Sequence, residues 1–293
     1  MKPAAFEYHR PDTVEDAVGL LAELGDDAKI LAGGQSLVPM LAMRLAYFDH
    51  LIDISRLAEL QGIERRGEEL WIGAGTTETA VGTDAQVRQD VPLLTRATPF
   101  VGHFQIRNRG TLGGSIAHAD AAGEYPAVAL TLDAVMEVAS PRGRREIAAA
   151  DFFAGVWETT MESDEVLTGV RFPVWNGRCG FAIEEFARRH GDFAIAGALV
   201  AVQLDDDDRV SRCGIGLLGL GSTVRRATAA EVAAVGRGVN ELVDDEIGRA
   251  AMSGLDDIPN DLQGTASYRL KVGATMATRA WTRAIAEARA SDA

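Results

Sequence analysis

Two short stretches carry residue types that could do chemistry. In LAGGQSLVPM, residues 31–40, Ala32 leads into Gly33 and Gly34, and Gln35 and Ser36 follow. In TLGGSIAHAD, residues 111–120, Thr111 precedes the pair Gly113 and Gly114, and Ser115 follows it. Glycine lacks a Cβ and tolerates positive φ, so a bound group can approach the main chain closely. Successive exposed N–H groups in such a turn form a concave anion site, strengthened where a helix begins. Gln35, Ser36, Thr111 and Ser115 can each donate a further hydrogen bond. The chemistry that suits this pair of loops is the holding of a diphosphate. Arg107 and Arg109, just ahead of the second pair, either offset its charge or are ordinary solvated side chains.

Other nucleotide patterns fail. AGGQSL has neither G-x-G-x-x-G nor the lysine of G-x-x-x-x-G-K-[ST]. Gly214, Gly216 and Gly219 do spell G-x-G-x-x-G, but inside an apolar run outside any βαβ unit, which predicts strand packing or a bulge. Asp205 to Asp208 lack the spacing and glycine of a calcium loop and predict a solvated hairpin turn. The two cysteines, Cys179 and Cys213, cannot supply the four sulfurs of an iron–sulfur cluster. The five histidines (His9, His50, His103, His118 and His190) show no close helical spacing, so no metal site is expected. Redox chemistry would then need an organic cofactor, and no acid–base catalytic residue is assigned.

The chain of 293 residues is long enough for two or three units, and its 47% hydrophobic and 25% charged composition is that of a globular protein. The net charge of −14 argues against a nucleic-acid partner and requires an anion to be held by local dipoles. No run is long enough to span a bilayer, and MKPAAFEYHR has no apolar segment of a secretory signal. A cytoplasmic location is the expectation.

These loops must be positioned by regular elements. FEYHR predicts an extended segment, TVEDAVGLLAEL a helix capped by Thr13 with Val14, Val18, Leu21 and Leu24 on one face, and KILAGG a strand. SLVPMLAMRL then predicts a short helix and HLIDIS a strand, completing a small α/β unit. In a second unit from about Ile63, ERRGEELWIGA predicts a hairpin at Arg66 and Gly67. TDAQVRQDVPLLTRATPFVG gives helical pieces broken by Pro92 and Pro99; YPAVALTL gives a helix, and AVMEVAS, RREIAAA and VLTGVRFPV give strands. PVWNGR is the best linker candidate. Beyond it AIEEFAR, AIAGALVAVQL and VSRCGIGLLGL predict antiparallel strands, and SYRLKVGATMATRAWTRAIAEA the longest helix.

AGGQSLVPMLAMRL together with QIRNRGTLGGSIAHADAAGEYPA resembles the two FAD-binding signatures of the medium, flavoprotein subunit of molybdenum hydroxylases, a family that includes carbon monoxide dehydrogenase medium subunits and the xanthine dehydrogenase flavin domain. ARRHGDFAIAG, residues 187–197, and DEVLTGVRFP, residues 164–173, are similar to two further family segments, so the likeness runs in order through the chain. The resemblance implies an α+β fold: a two-subdomain α/β FAD-binding domain of the PCMH/VAO-like kind over residues 1–175 (subdomains about 1–56 and 57–175), then a C-terminal antiparallel sheet with helices over 178–293. It implies noncovalent FAD whose pyrophosphate is lined by the backbone of Ala32, Gly33, Gly34, Gln35 and Ser36 and of Thr111, Gly113, Gly114 and Ser115. His118 and Glu124 would reach the ribityl, phosphate or ribose region, Val101 and Leu167 would border the flavin or adenine, and Phe193 would stand near the isoalloxazine. The family often has asparagine where this chain has Ser115. On residue chemistry alone His118 can instead order its loop, Glu124 or Asp120 can cap the helix of YPAVALTL, and Phe193 can be a core residue.

The implied role is an oxidoreductase subunit that takes electrons from [2Fe–2S] clusters on a small partner and passes them to an external acceptor. Molybdopterin sits on a large partner, and the assembly is a dimer of heterotrimers. With two cysteines the chain lacks the extra cluster that certain aryl-CoA reductases carry in this subunit. A stand-alone nucleotide-binding module and a free-standing flavin oxidoreductase of related fold are the alternatives. Carbon monoxide, a purine and an N-heterocycle are all open as substrates of the whole complex.

Overall fold

The computed structural model describes residues 2–291. Its first unit contains β1 (Glu7–His9), α1 (Val14–Leu24), β2 (Ala28–Leu31), α2 (Leu37–Met43) and β3 (His50–Asp53). The three strands are parallel in the order β1-β3-β2, as consecutive strand–helix–strand units require. The α1 start is fixed by the Thr13 hydroxyl, which accepts from the Asp16 N–H at 3.0 Å. Val14, Val18 and Leu21 are buried and Leu24 packs beside them against Ile52 and Ile54.

The second unit opens with the hairpin β4 (Ile63–Arg66) and β5 (Glu69–Gly73), turning at Gly67 with φ 62°. Six short helices follow: α3 (Glu78–Thr83), α4 (Ala85–Asp90), α5 (Pro92–Ala97), α6 (Phe104–Arg107), α7 (Leu112–His118) and α8 (Glu124–Thr131). After β6 (Val135–Ser140), β7 (Gly143–Ala148), α9 (Ala149–Phe152) and the small hairpin β8 (Phe153–Gly155) and β9 (Glu158–Thr159) comes β10 (Val166–Pro173). β10 inserts between β5 and β6, giving an antiparallel sheet in the order β4-β5-β10-β6-β7. The second glycine pair therefore lies in the first turn of a helix rather than in an open turn. Each glycine there costs the helix about 1 kcal/mol against alanine. Packing overrides that preference: a Cβ on Gly113 would lie 2.7 Å from Ala74 Cα.

The C-terminal unit is the sheet β11 (Cys179–Phe186), β12 (Ala196–Leu204), β13 (Val210–Leu218) and β14 (Arg225–Arg226), antiparallel in that order, with α10 (Thr228–Ala234), α11 (Asp244–Ala251) and α12 (Ala266–Ala290). This sheet is covered on both faces. Ala196, Ala198, Val200 and Val202 of β12 pack with Trp281 and Ala284 of α12, while Leu199 and Ala201 face the core of the second unit. That double burial explains why AIAGALVAVQL is apolar nearly throughout. Gly214 and Gly216 sit on β13 where a Cβ would overlap Thr131 at the end of α8, so the G-x-G-x-x-G run marks strand–helix packing. The Asp205–Asp208 stretch is a turn in which the Asp205 carboxylate accepts from the N–H groups of Asp207 and Arg209 at 3.0 and 2.8 Å.

PVWNGR is not a loose tether. Val174 and Trp175 are buried, and the Arg212 guanidinium lies 3.9 Å from the Trp175 ring centroid. A second clamp joins the units: Arg96 of α5 binds Glu287 of α12 through two hydrogen bonds of 2.5 and 2.6 Å, and Glu287 also accepts from the Phe181 N–H at 2.9 Å. Among the described residues, no helix is long and apolar enough to cross a membrane. Trp281 is the largest fully buried side chain. Trp281→Ala is expected to lower unfolding stability by about 3–5 kcal/mol, read as a shifted urea midpoint with far-UV circular dichroism.

Candidate functional site

The two glycine segments meet. An added Cβ on Gly33 would overlap the Arg109 carbonyl and lie 2.7 Å from Gly110 Cα. A Cβ on Gly114 would lie 3.4 Å from Ala32 Cβ and 2.8 Å from Thr111 Oγ1. Main chain thus rests on main chain at the carboxyl end of β2, the side of a parallel sheet where ligands bind in open α/β units.

The two segments differ in what they leave free. Among the described residues, the N–H groups of Gly33, Gly34, Gln35 and Ser36 have no hydrogen-bond acceptor. Gly34 holds φ at 72°, and the Gln35 side chain ties the loop by donating to the Gly33 carbonyl at 3.0 Å. In the second segment the Leu112 and Gly113 N–H groups donate to Thr76 and Ala74 carbonyls at 3.0 and 2.9 Å, and that of Ser115 to Thr111 O at 3.0 Å. The Gly114 N–H is capped by Thr111 Oγ1 at 3.0 Å. What remains available there is side-chain chemistry, chiefly the half-buried Ser115 hydroxyl.

A cleft of about 350 Å³ opens over the first loop, lined by Ala32 to Gln35, Val38, Asp53 and Arg109. Among the described residues Arg109 has no ionic partner, so its cation is available to an anion in this cleft. Arg107 is not: its guanidinium donates to the carbonyls of Val101 and Gly102 at 2.9 and 3.0 Å. Asp53 ends β3 and is held by Tyr8 OH and, at 2.8 Å, by the Ser55 N–H.

Behind the second segment lie three carboxyl groups with little cationic compensation. Glu78 is 4% exposed, and a Cβ on Gly110 would touch its carboxylate at 2.6 Å. Burial pushes Glu78 up to about 8, with the Glu124 charge adding and Arg107 opposing. Burial likewise raises Glu124 to about 7 and Glu185 to about 8, the latter also through Glu124. Glu78 Oε2 and Glu185 Oε2 are buried without a hydrogen-bond partner among the described residues. At neutral pH the raised Glu78 and Glu185 carboxyls favour the protonated form, which can donate a hydrogen bond, while Glu124 stands near its midpoint.

Comparison with known proteins decides the family. A family model described as the FAD binding domain in molybdopterin dehydrogenase matches residues 4–175, and one described as the CO dehydrogenase flavoprotein C-terminal domain matches residues 181–284. The chain belongs to the flavoprotein medium subunits of the molybdenum hydroxylases. It is 41% identical to the 6-hydroxypseudooxynicotine dehydrogenase complex subunit alpha of Paenarthrobacter nicotinovorans, covering 99% of this chain and 97% of that one. It is 37% identical to the carbon monoxide dehydrogenase medium chain of Hydrogenophaga pseudoflava, covering 96% and 97%. A solved structure of carbon monoxide dehydrogenase from the same organism superposes with a TM-score of 0.95 at 39% identity, over 98% of this chain and 99% of that chain.

In this medium subunit the donor set fits a dinucleotide diphosphate: four unengaged amides, a main chain stripped of Cβ atoms at the contact, and one unpaired arginine. The other expected site residues are spread around that centre. His118 ends α7, its ring stacked on Trp157 at 6.0 Å and its Nε2 4.0 Å from Asp120; burial lowers its pKa while Asp120 opposes. Glu124 is the first residue of α8, so it favours that helix's N-terminus as well as facing the carboxyl cluster. Asp120 caps its own loop, accepting from the Ala122 N–H at 2.8 Å. Val101 and Leu167 are buried in the core of the second unit. Phe193 is 64% exposed, which removes the core alternative for it. It sits on the β11–β12 loop, where a Cβ on Gly191 would touch the His103 ring at 2.7 Å. A second cleft of about 360 Å³ between that loop and α6 is lined by Gly102 to Gln105, Arg107 and His190.

Sequence reasoning missed Asp53, Glu78 and Glu185. Asp53 had a signal, a polar residue ending a parallel strand. Glu78 and Glu185 had none, since only the tertiary packing buries them. These carboxyls make a pH prediction for the FAD-free medium subunit. Their folded-state affinity for protons exceeds that of the unfolded chain, so their contribution to stability is complete below about pH 4.5 and is lost as pH rises through 7 to 8. The thermal midpoint should therefore fall between about pH 5 and pH 8.5, and Glu78→Gln should flatten that fall in differential scanning calorimetry.

Proposed function

We propose that this chain is the FAD-carrying electron-transfer subunit of a molybdenum hydroxylase complex. It takes electrons from [2Fe–2S] clusters of a small partner and passes them to an external acceptor. A large molybdopterin partner meets the substrate, and the complex is a cytoplasmic dimer of heterotrimers. The observation that carries this reading is the run of free amides from Gly33 to Ser36 pressed against the segment from Arg109 to Gly114. FAD, when bound, supplies the one- and two-electron redox chemistry, and the protein contributes orientation and electrostatics.

The residues then divide the work. Gly33, Gly34, Gln35 and Ser36 hold the diphosphate through main-chain N–H groups, with Arg109 offsetting its charge against the field of a chain of net charge −14. Thr111 fixes the first turn of α7 so that Ser115 presents its hydroxyl to the same group. Glu124 and His118 serve the sugar and ribityl region, and the neutral carboxyls of Glu78 and Glu185 add donors behind it. Val101 and Leu167 supply the apolar border, and Phe193 on its exposed loop covers the ring system. Residues 1–175 act as the FAD-binding domain, in subdomains of about 1–56 and 57–175. Residues 178–293 provide packing and partner contact. The two family models, matching residues 4–175 and 181–284, support this division.

The purified complex should show flavin absorption on top of that of its iron–sulfur clusters and should release FAD on denaturation, as noncovalent binding requires. Gly114→Val should lower FAD content at least about tenfold while the chain stays soluble, because its branches enter the 3.4 Å gap to Ala32. Full FAD retention in that variant would count against the loop assignment. The FAD-depleted complex should still show substrate-driven bleaching of iron–sulfur absorption yet fail to reduce the acceptor. A colourless protein that binds ATP or NAD instead would favour a stand-alone nucleotide module.

A further inference from the structure

We infer that Glu7, His9 and His50 form a binding site for a divalent transition-metal ion on the first unit. The site rests on strand register. β1 and β3 run parallel with Glu7 opposite His50, and His9 lies two residues beyond Glu7. Side chains two apart on a strand share a face, so all three project from one side of the sheet. His9 Nε2 and His50 Nδ1 face each other at 3.0 Å, and Glu7 Oε2 lies 3.6 Å from His50 Nδ1 and 4.0 Å from His9 Nε2. The three ligand atoms lie within 4.8 Å of one another. Ligands about 2.0–2.1 Å from a tetrahedral zinc ion stand about 3.3 Å apart, so this triangle needs only small side-chain adjustment to close on an ion.

The donor set selects the ion. Two imidazoles and one carboxylate suit zinc, cobalt, nickel or copper, whereas magnesium and calcium prefer oxygen ligands. The imidazole side chains are about one-quarter exposed or less and that of Glu7 is 75% exposed, so the outer coordination positions open to water or to an exchangeable ligand. The site lies on the starting residues of β3, while the dinucleotide cleft reaches only Asp53 at its other end. The proposal is therefore independent of the FAD assignment. An ion here would tie β1, an edge strand of three residues, to the central strand through side chains as well as through the ladder.

The test uses the untagged full chain, stripped with a chelator and dialysed against zinc and magnesium chlorides together. We expect one zinc and no magnesium per chain by mass spectrometry of the metals. His9→Ala and His50→Ala should each weaken zinc binding at least about tenfold with unchanged circular dichroism. Absence of stoichiometric zinc uptake, or uptake unaltered in the His9→Ala/His50→Ala double variant, overturns the proposal. Electron paramagnetic resonance of the copper(II)-loaded wild-type chain gives a readout without substitution. Nitrogen hyperfine structure from two imidazoles is expected, and an all-oxygen signature overturns the site.

Discussion

Everything at the candidate site depends on one steric constraint: the main chain at Gly33 lies in contact with the Arg109 carbonyl and Gly110 Cα. Residues far apart in sequence can bring their main chains this close only where one of them has no side chain. The contact does two things at once. It holds the first loop in a shape whose amides point away from internal acceptors, and it sets the α7 segment as the wall behind them. The second segment hydrogen-bonds inward to Ala74 and Thr76, so it is rigid where the first is receptive.

Electrostatics adds a second layer. A chain of net charge −14 is an unfavourable host for a diphosphate, and the site meets this locally rather than globally. Unengaged amide dipoles and Arg109 are the positive groups lining the cleft. Burial raises Glu78 and Glu185 to about 8 and Glu124 to about 7, which reduces the negative charge that would oppose an anionic ligand near neutrality. The same burial leaves carboxyl oxygens without protein partners, an arrangement tolerable only while those groups are neutral or supplied with a partner from outside the chain.

Local signals made much of the fold legible. The Thr13 cap, the period of Val14, Val18 and Leu21, and the apolar runs of β12 and β13 all depend on neighbours in sequence, and they recur in the structure. The glycine pairs stood out in the sequence because polar donors follow them, Gln35 and Ser36 after the first and Ser115 after the second, and the first pair closely follows an apolar strand. The helical nature of α7 was not, because propensity argues against two glycines there and only Ala74 and Ala32 explain them. PVWNGR has turn residues, yet its Val174 and Trp175 are drawn into the core by their apolar surface. Register across parallel strands was also invisible: His9 and His50 carry no helical spacing, and β1–β3 pairing alone brings them together.

That core has a further meaning. The largest apolar cluster runs without interruption from Leu70 and Tyr125 through Trp175 to Phe181, Leu199 and Leu218, so the junction in the chain is not a junction in the oil. Severing the polypeptide after Trp175 would turn the inner faces of α5 and α8 toward solvent and leave the Arg96 fork without its carboxylate. The dinucleotide half is thus no portable cassette: transplanting it into another scaffold demands that the recipient also bring a sheet to lie beneath it.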